Sequence, residues 1–321
     1  MSYYNAQFTY LGKANTDYNL IIVAFDGGGN NGAADSFLKM SSIKDENYNG
    51  TFYHEYGAKY DSVANLTITM VKKDYQDFTI QEFRDVARWL NGAPTSSWLD
   101  VQNERFSSDT LCSFLCKCID LQQYKLDGRV VGVIARFESL SPWAFSAMQC
   151  IQPSSAGSSI ITGTEVSPFS FTINNHTDDE YNYIYPTVII TNKDEDNADF
   201  SLKNTSLNSL NNTTECFQIS GLESIVFNSN HIITTDAPNK TMSERFNWVW
   251  PALVPGENVF EFIGTGEITI GYRYPIKIGE GMLGYDYSDN KAAIKNCVSI
   301  SQQKWDEIYQ ASAIIENISS V

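Results

Sequence analysis

A chain of 321 residues with 42% hydrophobic and only 19% charged residues is long enough for two hydrophobic cores and too apolar to stay disordered. Its formal net charge of −16 repels phosphate backbones, which excludes nucleic acid as an expected partner. Residues 1–19 have neither a basic start nor an apolar core, and no apolar run is long enough to span a bilayer, so the expectation is a protein that folds in a cytoplasm and has no membrane partner.

The first half reads as strands interrupted by one helix. Asn19 to Phe25 is an apolar strand, followed by the turn-forming Asp26-Gly-Gly-Gly-Asn-Asn-Gly32. That loop lacks the Lys-Ser/Thr ending of a phosphate cradle and reads as a hairpin tip. Phe52 to Tyr60 alternates loosely, and Ala64 to Val71 alternates cleanly, with Leu66, Ile68 and Met70 on one face. Thr79 and Glu82 have capping-box spacing, and Phe78 and Phe83 hold the staple positions around it. Ile80, Phe83, Val86, Ala87 and Leu90 recur at helical spacing, which predicts a helix over about 80–91 that buries this stripe and ends before Gly92 and Pro94. Trp89 lies off the stripe and is the candidate for a second contact. Strands follow at Ser97 to Val101, Leu111 to Leu121 and Arg129 to Glu138. Alternation puts Cys112, Cys116 and Cys118 on one strand face. The three histidines, His54, His176 and His231, lie far from them in sequence, so buried reduced thiols are expected rather than a metal site.

Residues 152–164 are rich in Ser and Gly and mark the expected domain boundary. Beyond them come short strands at the spacing of a β-sandwich: Phe169 to Asn174, Pro186 to Thr191, Phe200 to Asn204, Glu215 to Ser220, Ser224 to Phe227, His231 to Thr235, Asn258 to Ile263 and Glu267 to Tyr274. Asp194, Glu195, Asp196, Asn197 and Asp199 crowd one loop without the glycine and closing glutamate of an EF-hand, and read as a solvated acidic turn. Ser301 to Glu316 carries Trp305, Ile308, Tyr309 and Ile315 at helical spacing, an amphipathic helix that must cover an apolar surface on its own chain or on a neighbour. No nucleophile-elbow pattern occurs, no carboxylate pair stands out, and no cofactor is expected.

Several of these segments resemble, in order, the distal tail proteins of long-tailed bacteriophages. In the first half the resemblance rests on Phe83-Arg-Asp-Val-Ala-Arg-Trp89-Leu90-Asn91 between strands, followed by Phe137 to Trp143. In the second half it rests on Tyr185-Pro186-Thr-Val-Ile-Ile-Thr191, on Phe217-Gln-Ile-Ser-Gly221-Leu222 with Ile225 to Asn228, and on the closing strand Ile268 to Tyr274. The segment Phe246-Asn-Trp-Val-Trp250-Pro251-Ala-Leu253-Val-Pro255-Gly256-Glu-Asn258 is similar to that family's aromatic-Pro-x-Leu-x-Pro-Gly-x-Asn turn. Asn228 stands where the family often has Asp, and the chain beyond 282 departs from its usual short form.

The resemblance implies a mainly β protein with three parts. These are an N-terminal β-sandwich-like ring domain over 1–155 with one α-helix, a galectin-like β-sandwich over 160–282, and an extension over 283–321. It further implies a non-enzymatic hexameric ring in the virion, joining the tail tube protein to the tail-tip hub protein and able to hold receptor-binding proteins. Pro186, Gly221, Trp250, Pro251, Leu253, Pro255, Gly256 and Asn258 would then be structural motif positions. Ring closure needs one patch to meet a different patch on the next subunit. Strand edges and the aromatic run Phe52, Tyr53 and Tyr56, together with Trp89, are the expected contacts. An acidic lumen would let DNA pass without adhering. Two other readings stay open at this point: a carbohydrate-binding or sugar-active sandwich that uses Trp248 and Trp250, and a tail tube or adaptor subunit.

Overall fold

The computed structural model describes residues 6–26, 40–44, 55–60, 63, 65–103, 107–194, 198–208, 212–238, 240–276 and 295–313. In chain order the first strands are β1 (Ala6–Tyr10), β2 (Lys13–Ala14), β3 (Leu20–Asp26), β4 (Met40–Lys44), β5 (Glu55–Tyr60) and β6 (Asn65–Lys72). Helix α1 (Ile80–Leu90) precedes β7 (Ser97–Asn103), β8 (Ser107–Leu126), β9 (Arg129–Ser139) and β10 (Ala144–Phe145). Then come β11 (Gln149–Pro153), β12 (Ile160–Gly163), β13 (Phe169–Asn175), β14 (Thr187–Asn192), β15 (Ala198–Asn204) and β16 (Thr213–Ile219). The last elements are β17 (Ser224–Phe227), β18 (Ile233–Thr235), β19 (Gly256–Tyr272), β20 (Pro275–Ile276), β21 (Cys297–Ser299) and α2 (Gln302–Ala313). The protein is mainly β.

Two compact units divide the chain: Met1–Ala147 with Pro275–Asp289, and Met148–Tyr274 with Asn290–Val321. The division, at Ala147/Met148, falls just before the Ser/Gly-rich stretch 152–164 expected to mark the domain boundary. β11 runs into that stretch and β12 lies within it, and both pair with β19 of the second unit.

The first unit is one sheet in the order β2-β1-β7-β8-β9-β6-β3, with β10 and β20 beside it and β4–β5 as a separate antiparallel pair. Alternation gives the sheet one apolar face. Phe8, Tyr10, Leu20, Ile22, Leu66, Ile68, Met70, Leu99, Phe114, Val133 and Phe137 are all buried on it. Helix α1 forms where expected. The Thr79 hydroxyl accepts from Glu82 N–H (3.2 Å), and the Glu82 carboxylate accepts from Thr79 N–H (2.7 Å). Val86, Trp89 and Leu90 are buried. The expected stripe is corrected at its first member: Ile80 is the first helical residue and stands 83% exposed.

The second unit is a sandwich hinged on β19. Its first half, to Ile263, pairs with β13 and β15, and its second half pairs with β11, β12 and β14. Two separate strands were expected here, with Gly264-Thr265-Gly266 between them as a turn. The backbone instead stays extended and changes layer at Gly264, where φ is +126° and the Phe200 ring fills the space a Cβ would need. Ile173, Val188, Ile190, Phe200, Ile225, Phe227, Phe260, Phe262, Leu253 and Ile268 fill the core between the layers.

β14 and β17 are buried on both faces. Val188, Ile190, Ile225 and Phe227 point into the core, while Ile189 and Val226 lie against Trp305 of α2. Two-sided burial is why these strands read as unbroken apolar runs. The C-terminal helix therefore covers its own chain. Ser301 starts it by accepting from Lys304 N–H on its hydroxyl (3.2 Å), and β21 adds to the edge of β11. The extension expected over 283–321 is thus, in its described part, an integral layer of the second unit.

Candidate interaction surfaces

Among the described residues the first unit's sheet ends on one side in the two-residue β2, which pairs only with β1, and presents two longer open edges, on β3 and on β8. β3 pairs with β6 on one side and with no strand on the other. β8 is staggered between its neighbours: β7 pairs with it up to Cys116, and β9 pairs with it from Cys116 to Leu126. From Lys117 to Leu126 the side facing away from β9 carries no strand. Ile119 on this stretch is 57% exposed, and Leu126 at its tip is exposed as well. Open edges with exposed apolar residues are what native sheets normally blunt or cover.

The residues expected to make subunit contacts fare differently. Phe52 and Tyr53 lie outside the described residues, as do the Gly27–Gly32 loop and His54. Tyr56 belongs to β5, its side chain lying outside the description. Trp89 is corrected. It is buried in its own unit, stacked between Phe8 (5.4 Å between ring centroids) and Tyr18 (4.7 Å), and its indole N–H donates to Tyr10 C=O at 2.7 Å. The helix is rotated so that Trp89 rather than Ile80 faces the sheet.

In the second unit the Pro-Gly-x-Asn turn is tied by one buried amide. Asn258 accepts on Oδ1 from Val254 N–H (2.8 Å) and Asn204 Nδ2 (2.9 Å), and donates from Nδ2 to Val254 C=O (2.8 Å) and Gly256 C=O (3.0 Å). Gly256 has φ +84°. Leu253 and Pro251 are buried, and the backbone of Leu253 bridges to Ile184 beside the buried Pro186. Gly221 and Pro255 stand at the surface, exposed and half-buried respectively.

Next to this turn is an aromatic cluster. Tyr185 packs on His231 (4.2 Å), His231 on Trp250 (5.3 Å), and Trp250 on Phe246 (4.9 Å) and Trp248 (6.0 Å). Trp250 is half-buried with an indole N–H that finds no partner in the protein, whereas Trp248 is 59% exposed on a left-handed backbone (φ +62°).

Three polar anchors hold the segment that carries the tryptophans. Arg245 donates to both carboxylate oxygens of the buried Glu223 (2.9 and 2.8 Å) and to the backbone carbonyls of Phe217 and Gln218. Thr235 Oγ1 and Ser220 N–H also donate to Glu223, at 2.5 and 2.8 Å. Burial alone would raise the Glu223 pKa, but these donors outweigh it and hold the carboxyl at about 2. Asn247 accepts from Glu215 and Val249 N–H and donates to Thr213 C=O.

Burial pushes the Cys112 and Cys116 thiols well up and Cys118 to about 11, so they stay protonated and packed. Among the described residues no three His, Cys, Asp or Glu side chains gather to hold a metal ion. Glu195, Asp196 and Asn197 of the acidic turn fall outside the description, and Asp199 accepts from Gln218 N–H. No helix among the described residues is long and apolar enough to cross a membrane.

Residues 3–141 match the family model of a phage tail protein N-terminal domain, and residues 158–272 match that of a phage tail C-terminal domain. The chain belongs to a phage tail protein family. The two matched stretches end before β21 and α2, which belong to the second unit of this phage tail protein. Its fold is that of the phage SPP1 distal tail protein, described as a hub of the adsorption apparatus of phages infecting Gram-positive hosts. The two share 10% identity over 84% of this chain and 99% of that one, with a TM-score of 0.54. A chain of the phage P2 baseplate in its activated conformation with Ca aligns over 84% of this chain and 98% of its own at 10% identity, with a TM-score of 0.48. No curated protein matches the chain by sequence.

Proposed function

We propose that this phage tail protein is a structural, non-catalytic subunit of the tail tip. Six copies close into a ring through their first units, joining the tail tube protein to the tail-tip hub, while the galectin-like second units face outward and can support receptor-binding proteins. The observation that carries the ring is the pair of open edges on one sheet. β8, β9, β6 and β3 are successively antiparallel, so β3 runs opposite to β8. Copies related by rotation about an axis along the strands keep their strand directions. The free edge of β3 in one copy then meets the free Lys117–Leu126 edge of the next as another antiparallel pair, and the same junction repeats until the sheet closes. Such a closure removes both edges, which is how β-structures avoid open-ended association. The number six follows from the family resemblance rather than from the edges.

The face of β6 and β9 turned away from the core would line such a ring. It carries Thr67, Thr69, Ile134, Arg136 and Glu138, a wall of mixed rather than acidic character. The strongly acidic lumen suggested by net charge is therefore not part of this proposal. The stretch containing Phe52, Tyr53 and Tyr56 stays a proposed second contact.

The test is the mass and symmetry of the purified protein by mass photometry and negative-stain microscopy. A single sixfold ring is expected, and Ile119→Lys, a change at an exposed site, should leave folded monomers. Stacked rings would favour a tube subunit, and a wild-type chain that stays monomeric at every concentration and in the virion would overturn the proposal.

A further inference from the structure

The geometry points to a binding platform for neutral saccharides on the second unit, centred on the exposed indole of Trp248; this inference is independent of the ring. The Trp248 ring is 59% exposed, and the backbone beneath it sits at φ +62°, a region bulky residues avoid. The strained position is fixed on both sides. Asn247 pins the preceding residue through its bonds to Thr213, Glu215 and Val249, and Phe246 and Trp250 support the ring at 5.8 and 6.0 Å between centroids. His231 repeats the pattern at φ +59°, also exposed, and its ring joins Tyr185 to Trp250. Two aromatic residues held outward in the left-handed region thus meet in one run of rings. A platform already rigid before its ligand arrives loses little entropy on binding.

Size and charge choose the ligand. The exposed large apolar side chains of the run are Trp248, Ile232 beside His231, and Tyr181 and Tyr183 on the segment leading into Tyr185. A stable protein partner covers about 800 Å² and about 20–30 residues on each side, far more than these four side chains. A sugar ring needs one flat aromatic face for its C–H face and a few hydrogen-bonding groups around it. Ser229 and Asn230 before His231, and Asn182 before Tyr183, are exposed and uncharged and meet that need. Asp178, Asp179 and Glu180 lead into the same tyrosines, and the whole chain carries −16, so anionic polymers are repelled and neutral glycans remain.

The experiment uses the full-length protein on an array of neutral and acidic oligosaccharides, followed by titration of the best neutral glycan by tryptophan fluorescence. The variants are Trp248→Ala and, as a control at an exposed apolar residue outside the cluster, Leu222→Ala. Neutral glycans should be retained, at least tenfold more weakly by W248A and equally by L222A, with the melting temperature of W248A not lowered. The inference is overturned if wild type retains no neutral glycan, if acidic glycans are preferred, or if W248A binds as wild type does. Capture of a purified tail protein that depends on Trp248, with no glycan binding, would assign the patch to protein docking and overturn it equally.

Discussion

Glu223 and Trp89 show what single side chains contribute to this protein. Glu223 is buried, and Arg245 holds it by two charge-assisted bonds, so Glu223→Gln leaves a guanidinium half-matched in the interior. A loss of about 3 kcal/mol in chemical denaturation is expected. The depressed carboxyl makes the same contribution pH-dependent. Its stabilisation is full above the ordinary carboxylate pKa and falls away as the pH drops from about 4.5 toward about 2. In E223Q the acid limb of the stability profile should be shallower than in wild type over that range, and an unchanged limb would show that Glu223 is not the group responsible.

Trp89→Ala removes a ring packed on two others together with a buried hydrogen bond, and should cost about 3–5 kcal/mol. That role was not legible in the sequence. The capping box of Thr79 and Glu82 was, because it is a relation between residues three apart. The partners of Trp89 are Phe8, Tyr10 and Tyr18, 71 to 81 positions earlier, and helical periodicity holds no information about them. The same holds for the candidate platform. The Trp248–Trp250 pair was visible, but its link to His231 and Tyr185 is made only by the fold.

Among the elements, α2 makes the clearest prediction. The Trp305 indole lies over Gly271 of β19, where any Cβ would collide with it, and packs with Cys150, Ile189 and Val226. Trp305→Ala should lower stability by about 3–5 kcal/mol, and Gly271→Val should release the helix through the same contact, exposing apolar sheet that binds a hydrophobic dye. If both variants melt like wild type, α2 is not part of the cooperative unit. The sequence showed the helix and its apolar stripe but not what the stripe covers. It also suggested two strands where β19 is one. Glycine is ordinarily a mark of turns, and only the pairing on both sides of Gly264 distinguishes a bend between layers from a break. Strand identity elsewhere was readable because alternation and two-sided burial each leave their own pattern, as in Leu66 to Met70 and in Val188 to Ile190.

For the whole molecule the proposals separate by unit. The open edges lie on the first and the aromatic platform on the second. Ile119→Lys should therefore abolish ring formation without weakening any glycan binding per chain, and Trp248→Ala should weaken glycan binding at least tenfold without changing particle mass. Light scattering and fluorescence titration on both variants check this, and loss of both properties in either one would show that the two surfaces are coupled.

The course of β19 has a mechanical consequence for a protein placed at the end of a tail. Because one backbone threads both layers of the sandwich, they are joined covalently as well as by side chains. Strands β11 to β15 all grip this same span. A force pulling along it loads those ladders in shear, many bonds together, instead of opening them one by one from an end. The second unit is thereby built like a tendon through a joint, and tension applied to it would travel down the chain before the layers could part.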